Sequence, residues 1–339
     1  MTSDSLQIKT TYTAFVVTEE DGSFHHSIRQ LKRVDLPDHD LLVKVHYSSL
    51  NYKDMLSASG NKAVTSQYPF TPGIDASGIV LSSKSPRFKT GDKVIVTSYD
   101  LGMNTPGGFG EYISVPSAWA LHLPEAISLK ESMMAGTSGL TAAIGIKKLV
   151  NHQLKPEDGR VAVTGATGAV GSFAVSLFAH LGFKCDAITG KSDQHTFLNS
   201  IGADRIIDRF SLCKEELKPL NKSRWVGAID TVGGSMLDRI IRQISHNGIV
   251  ACCGNVLGDT FETSIYPFIL RGVSLMGIDS GIALMEDRLK IWSLLSSEWK
   301  MPVLNDLCRT IELQDLSAEI HMMKEGKQIG KVVIRLPDS

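Results

Sequence analysis

The segment Gly165-Ala166-Thr167-Gly168-Ala169-Val170-Gly171 directly follows a β-prone run, Val161-Ala162-Val163-Thr164, and leads into a helical pattern through His180. Strand, glycine turn and helix in that order aim backbone N–H groups from a helix N-terminus. Gly168 and Gly171, at G-x-x-G spacing, leave room for a pyrophosphate to approach the main chain. Ala166 stands where the commonest dinucleotide fingerprint has its first glycine. Roughly 20 residues beyond such a turn, an acidic side chain grips the ribose hydroxyls of NAD. Here the second strand ends instead in Thr189-Gly190-Lys191. A lysine at that tip, with Arg209 just past the third strand, offers two cations to an adenosine 2′-phosphate, which points to NADPH rather than NADH. Asp186 lies inside the strand, and Asp193 comes after the loop has turned.

Such a cradle needs a parallel sheet behind it. From about residue 135 a helix is expected through Leu149, followed by strands at 160–164, 184–189, 205–208, 227–231, 249–253 and 274–278 that alternate with helical patterns. That alternation is the signature of a doubly wound α/β sheet. Gly233-Gly234 and Gly254 fall at strand C-termini, where an open sheet of this kind binds ligand. The first third of the chain reads differently. The partly alternating run 41–47, and the run 93–97 after the turn Thr90-Gly91-Asp92, predict a mostly antiparallel β-domain. The strand-like 329–335 stands apart from the parallel series and is expected to return to that first domain. The expected division is therefore 1–132 completed by 305–339, and 133–304.

A formal net charge of -1 on 339 residues leaves no broad cationic face for nucleic acid or anionic lipid, so a small molecule is the expected partner. The polar stretch 1–10 lacks a secretory apolar core, and no segment approaches the roughly 20 apolar residues that span a bilayer. A cytoplasmic location is expected. Cys185, Cys213, Cys252, Cys253 and Cys308 form no disulfide framework spacing, which fits a reducing compartment. The Cys252-Cys253 pair reads as small buried hydrophobes, and His25-His26 as solvated surface in a polar turn.

The segments 48–54, Pro72-Gly73-Ile74-Asp75-Ala76-Ser77-Gly78 and Gly91-Asp92-Lys93-Val94 resemble the medium-chain dehydrogenases/reductases. Asn51-Tyr52-Lys53-Asp54 together with 267–273 and Gly277-Ile278-Asp279-Ser280 is similar to the YhdH/YhfP-type quinone oxidoreductases, a group that includes acrylyl-CoA reductases. The resemblance covers nearly the whole chain and implies a GroES-like β-rich catalytic domain beside a Rossmann domain. Zinc-bearing members hold catalytic metal through a cysteine and a His-Glu pair. Asn51 and Ile74-Asp75 stand at those places here, and no cysteine precedes Cys185 to build a structural zinc lobe. No metal is expected, and without a Lewis acid the chain is a poor candidate for oxidising alcohols.

Reducing an electron-poor alkene needs only hydride from a nicotinamide and hydrogen-bond donors for the developing enolate oxygen. The resemblance puts Asn51 and Tyr52 near the nicotinamide, with Tyr52 either an aromatic wall or a proton donor. Lys53 and Asp54 read as fold support in preference to an orienting pair. Cofactor contacts carry over onto Tyr52, Thr167, Gly168, Ala169, Val170, Thr189, Gly190, Lys191, Arg209, Asn255, Ile269, Ser280 and Gly326. Two departures stand out. Asn255 replaces a more usual apolar residue, and Lys331 follows Gly330 where an arginine is common. The implied activity is NADPH-dependent reduction of an acyl-CoA thioester or enone, with quinone reduction and non-catalytic NADPH binding as alternatives. A homodimer through 268–276 is the expected assembly.

Overall fold

The computed structural model describes residues 9–337. The chain divides into two compact units. One runs to Thr137, takes in Gly281–Lys290 and resumes at Cys308; the other comprises Ser138–Ser280 and Ile291–Leu307. The division thus falls after Thr137 rather than after residue 132, and 281–290 groups with the first unit instead of the second.

The first unit is β-rich. Strands β1 (Thr11–Glu20) and β2 (Ser23–Lys32) form an antiparallel hairpin. The main sheet is built from β3 (Leu41–Leu50), β4 (Asp75–Ser83), β5 (Lys93–Thr97), β6 (Tyr112–Val115) and β7 (Ala120–His122), joined by β14 (Cys308–Glu312) and β15 (Lys331–Arg335). Its order is β14-β15-β3-β4-β5-β7, with β6 also on β3, and every pairing except β14 with β15 is antiparallel. In β3 the residues Leu41, Val43 and Val45 are buried, while Leu42, Lys44 and His46 between them are partly exposed. That two-residue period buries one face, a contribution of about 1.5–3 kcal/mol per apolar side chain. Phe15, Phe109, Ile113, Val332 and Ile334 complete the same core. The C-terminal strand does return to this unit, pairing Val332 with Leu50. Helix α1 (Tyr52–Ala58) follows β3, and α9 (Leu316–Lys324) precedes β15.

The second unit holds six parallel strands: β8 (Arg160–Thr164), β9 (Lys184–Thr189), β10 (Arg205–Asp208), β11 (Trp225–Asp230), β12 (Ile244–Cys252) and β13 (Ser274–Gly277). Their order, β10-β9-β8-β11-β12-β13, reverses direction between β8 and β11. This is the doubly wound Rossmann arrangement, in which ligands bind at the carboxyl ends on either side of the reversal. The first three strands occupy the residues their patterns predict. β11 and β12 start earlier than expected because Trp225, fully buried, already starts β11, and Ile244 pairs with it ahead of a register shift; β13 starts where expected and ends one residue sooner. Between strands run α3 (Ala169–His180), α4 (His195–Ser200), α5 (Arg209–Lys214), α6 (Gly234–Ile241) and α7 (Tyr266–Arg271); α8 (Met285–Leu295) follows β13. Helix α2 (Leu129–Asn151) begins in the first unit and continues into the second. It is interrupted at Gly136, whose φ of 50° and ψ of -155° are not helical.

Candidate functional site

In the second unit the glycine turn is built by main-chain clearance. Gly165, at φ +59°, lies where a Cβ would meet Thr231 Oγ1, and its carbonyl accepts the Gly168 N–H at 2.9 Å. Gly168 caps α3 in extended conformation, and a Cβ there would touch only the Gly165 carbonyl, at 3.3 Å. Gly168 is therefore the open position at which a phosphate can reach the backbone. A Cβ on Gly171 would collide with the Gly165 carbonyl, so this glycine lets α3 seat against the turn. Gly168, Ala169 and Val170 are partly exposed, whereas the Thr167 side chain is buried.

The tips of β8 and β11 are tied together by Asp230, a residue the sequence reading passed over. Thr164 Oγ1 donates to its Oδ1 at 2.7 Å and Gly233 N to its Oδ2 at 2.8 Å, while Thr231 Oγ1 donates to the Thr164 carbonyl at 2.8 Å. Burial pushes the Asp230 carboxyl above its ordinary range. The signal was present as an acid closing an apolar strand directly before Gly233-Gly234. A Cβ on Gly254 would strike the Thr231 carbonyl, which brings the 254–255 turn against the β11 tip and leaves Asn255 exposed there.

At the β9 tip, Lys191 N donates to Thr189 Oγ1 at 3.1 Å. The Arg209 guanidinium lies 2.9 Å from where a Cβ of Gly190 would stand and stacks over Phe210, 4.7 Å from the ring centroid. The absent side chain of Gly190 thus makes the room in which Arg209 meets the β9 tip. Burial holds the Lys191 amine below its ordinary value, a desolvation that an anion would offset. Asp186 is engaged inward, receiving Arg160 and, at 2.9 Å, the Trp225 indole N–H. Asp208 spends its carboxylate capping α5 through Phe210 N and Ser211 N. Neither acid is left to grip a ribose. Ser280 shares a 2.6 Å hydroxyl bond with Thr141, and Ile269, 64% exposed, lies on α7.

The first unit contains Asn51, Tyr52 and Gly326. Tyr52 is the first residue of α1 and is 43% exposed. Asn51, its N-cap, is buried in a polar cluster. The Asn51 Nδ2 donates to Asp75 Oδ2 at 2.8 Å and to the Ser49 carbonyl at 3.1 Å, while Lys331 Nζ donates to Asn51 Oδ1 at 2.6 Å. Both hydrogens of the Asn51 amide are thereby used inside the protein. Asp75 also accepts from Ser49 Oγ at 2.5 Å, from Thr137 N at 2.9 Å and from Thr137 Oγ1 at 2.6 Å. Asp54 accepts from Asn51 N at 2.8 Å and from Ile74 N at 2.8 Å, which makes it fold support; Lys53 points outward and is exposed. Burial and the neighbouring Asp75 push the Asp54 carboxyl up to about 7, and burial holds the Lys331 amine down. Gly326 sits in the turn after α9 at φ +69°, with open space where a side chain would be.

Zinc does not fit this cluster. Asn51 and Asp75 hold ligand positions by resemblance, yet the Lys331 ammonium already lies 2.6 Å from one and 3.6 Å from the other, and a second cation would meet its charge. Among the described residues no group of three or more His, Cys, Asp and Glu side chains is arranged around a metal position. Two expectations, on His26 and on the paired cysteines, are corrected. His26 lies in β2, not in a turn, and its ring bonds the Ala58 carbonyl and Ser317 Oγ, both at 3.0 Å. Cys252 and Cys253 are partly exposed at the end of β12, although burial pushes the Cys253 thiol to about 12. In the stretch 268–276, Phe268 packs inward, and the exposed apolar side chains are Ile269 and Leu270, with Ile265 exposed just before it.

Residues 37–125 match the alcohol dehydrogenase GroES-like domain family, and residues 169–296 match the zinc-binding dehydrogenase family. The Bacillus subtilis protein YhfP, classed by name with the quinone oxidoreductases, is 41% identical over 94% of this chain and 96% of its own. The acrylyl-CoA reductase AcuI of Ruegeria pomeroyi is 36% identical over 95% and 98%. The YhdH oxidoreductase of Salmonella enterica, solved in complex with NADP, superposes with a TM-score of 0.93 at 36% identity over 96% of this chain and all of that one. YhfP itself, solved with NAD bound, gives a TM-score of 0.93 at 38% identity over 97% and 100%.

Proposed function

The chain belongs to the YhdH/YhfP-type quinone oxidoreductase and acrylyl-CoA reductase family of medium-chain dehydrogenases/reductases, and from that membership we propose that it is a zinc-independent, NADPH-dependent reductase of activated carbon–carbon double bonds. The observation that carries the cofactor choice is the β9 tip. Lys191 and Arg209 present two cations there, while Asp186 and Asp208 are engaged elsewhere. Thr167, Gly168, Ala169 and Val170 would hold the pyrophosphate at the α3 N-terminus, Thr189, Gly190, Lys191 and Arg209 the 2′-phosphate, and Asn255, Ile269 and Ser280 the remainder. Tyr52 and Gly326 are the contacts assigned from the first unit. When bound, NADPH supplies the hydride.

The roles of the protein's own groups follow from what each has left to give. Asn51 has both amide hydrogens committed, so it orients its neighbours rather than donating to an acceptor molecule. Tyr52, exposed at the first residue of α1, is the side chain we assign to the nicotinamide, as an aromatic wall or as a proton donor. Solvent can replace it in that second role. The acceptor class we assign is a small acyl-CoA thioester or enone. Quinone reduction is the second reading, favoured by the 41% identity to YhfP. Protein incubated with NADPH and a panel of acrylyl-CoA, simple enones and quinones should consume NADPH with the thioester or enone. Turnover with quinones alone would favour the second reading, and tight NADPH binding without turnover on any of them would favour a non-catalytic binder.

We assign the protein to the cytoplasm as a homodimer. No helix among the described residues is long and apolar enough to cross a membrane. β13 ends the parallel sheet, and α7, which leads into it, exposes Ile269 and Leu270 with Ile265 at its N-cap, an edge and an apolar face suited to a second copy. A monomer mass by light scattering would refute that assembly.

A further inference from the structure

The buried cluster of the first unit holds one ammonium, two carboxylates and one amide. Lys331 is 2% exposed and Asp54 and Asp75 are fully buried. Sinking three ionisable groups into a protein costs desolvation that their mutual attraction seldom repays, and apolar side chains of similar volume usually serve stability as well or better. What such a cluster supplies instead is a fixed orientation. Here the bond directions are unambiguous. A lysine ammonium can only donate, so the Asn51 atom it faces at 2.6 Å is the carbonyl oxygen, and the amide nitrogen is turned to Asp75 and to the Ser49 carbonyl. Asn51 is also the N-cap of α1, held through its backbone N–H by Asp54, and the next residue is Tyr52. The main chain around the cluster is shaped to admit it. A Cβ on Gly136 would stand 2.5 Å from Asp75 Oδ2 and 2.7 Å from Ser49 Oγ.

We propose that Lys331 is a positioning residue, which locks the Asn51 amide in one orientation and through that N-cap sets the direction from which Tyr52 meets its ligand. Lys331 itself touches no ligand, because its side chain is enclosed. The role rests on the reading of Tyr52 given above, but it makes separate demands.

The test compares wild type with Lys331→Met, Asn51→Ala, the double variant and Lys331→Arg. Each is first checked for folding by thermal melting and for NADPH binding by fluorescence. In steady state, Lys331→Met should lower kcat about 30-fold while the KM for NADPH stays within about twofold, the split expected when a reacting group is misplaced without loss of cofactor contacts. The double variant should be no slower than the worse single one, and Lys331→Arg should recover part of the loss. A second readout requires no turnover. With 3-fluorotyrosine at the seven tyrosines, the ¹⁹F line that vanishes in Tyr52→Phe reports Tyr52. That line should shift alike in Lys331→Met and Asn51→Ala and return toward its original place in Lys331→Arg. Multiplicative losses in the double variant, or an unmoved Tyr52 line in a folded Lys331→Met protein, would overturn the proposal. If Lys331→Met does not fold, Asn51→Ala and Lys331→Arg still decide it, since a Tyr52 line unaffected by Asn51→Ala removes the link. If wild type reduces no acceptor while the Tyr52 line responds as described, the functional reading fails and the positioning role stands.

Discussion

The two units prepare their sites by opposite means. Around the glycine turn, room is made by leaving side chains out. Gly165, Gly168, Gly171, Gly190 and Gly254 each stand where a Cβ would press on a neighbour or fill the approach of a ligand. In the first unit the polar cluster is made by putting side chains in, with Ser49, Asn51, Asp54, Asp75 and Lys331 converging on one buried point. The first strategy is local and, where Gly171 and Gly254 press on carbonyls of the neighbouring main chain, rigid. The second is orientational and titratable, because its hydrogen bonds converge on ionisable groups. Damage should therefore be steric and absolute in one unit and graded with charge and pH in the other.

The largest effect tests the steric side. Gly171→Val drives a branched side chain into the Gly165 carbonyl and should abolish NADPH binding measured by fluorescence titration. An affinity within tenfold of wild type would mean that α3 can shift, and the rigidity assigned to the turn would be lost. Next in size is the charge pair at the β9 tip. Removing both cations in a Lys191→Ala/Arg209→Ala protein should raise the KM for NADPH about 100-fold while changing that for NADH less than about threefold, since hydrogen bonds to a charged group contribute about 1.5–3 kcal/mol each. Equal losses with both cofactors would show that the pair does not read the 2′-phosphate.

The smallest effect probes the titratable side. Unfolded, Asp54 ionises near 3.8; folded, at about 7. Between those values the folded state holds a proton the unfolded chain has lost, so this group's contribution to stability is fully present below the lower value and fades as pH rises to about 7. Lys331, held below its ordinary 10.5 by burial, has the opposite sign: its contribution grows as pH rises toward that value. From pH 5 to 8 the melting temperature of wild type should fall relative to that of Asp54→Asn by roughly 2–5 °C. Parallel profiles would show a carboxylate ionised throughout, and the cluster would then carry a net negative charge.

How far the sequence foretold these features follows the same divide. The glycine turn, the first three parallel strands and the approach of Arg209 to the β9 tip are legible because they rest on short stretches whose spacing has direct geometric meaning. The return of 331–335 to the first unit could be foreseen from its isolation after a polar helix. The polar cluster could not. Lys331 and Asn51 are 280 positions apart, and nothing in either neighbourhood states that a lysine in a β-strand should point inward. Asn51 was therefore expected to serve a ligand, when its amide is consumed by Asp75, Ser49 and Lys331. Asp230 was overlooked for a related reason, since its partners Thr164 and Gly233 belong to two strand tips that only the sheet order makes adjacent.

The placement of Lys331 on the last strand also bears on how the chain is made. A ribosome delivers residues in order, and domains fold as units while synthesis proceeds. All six strands of the parallel sheet have been translated once Gly277 is added, more than fifty residues before the lysine. The β-rich unit, begun first, is finished last. Until its closing strand emerges, Asp54 and Asp75 have no counter-ion, and the nascent dinucleotide-binding half is complete while its older neighbour waits for one late charge.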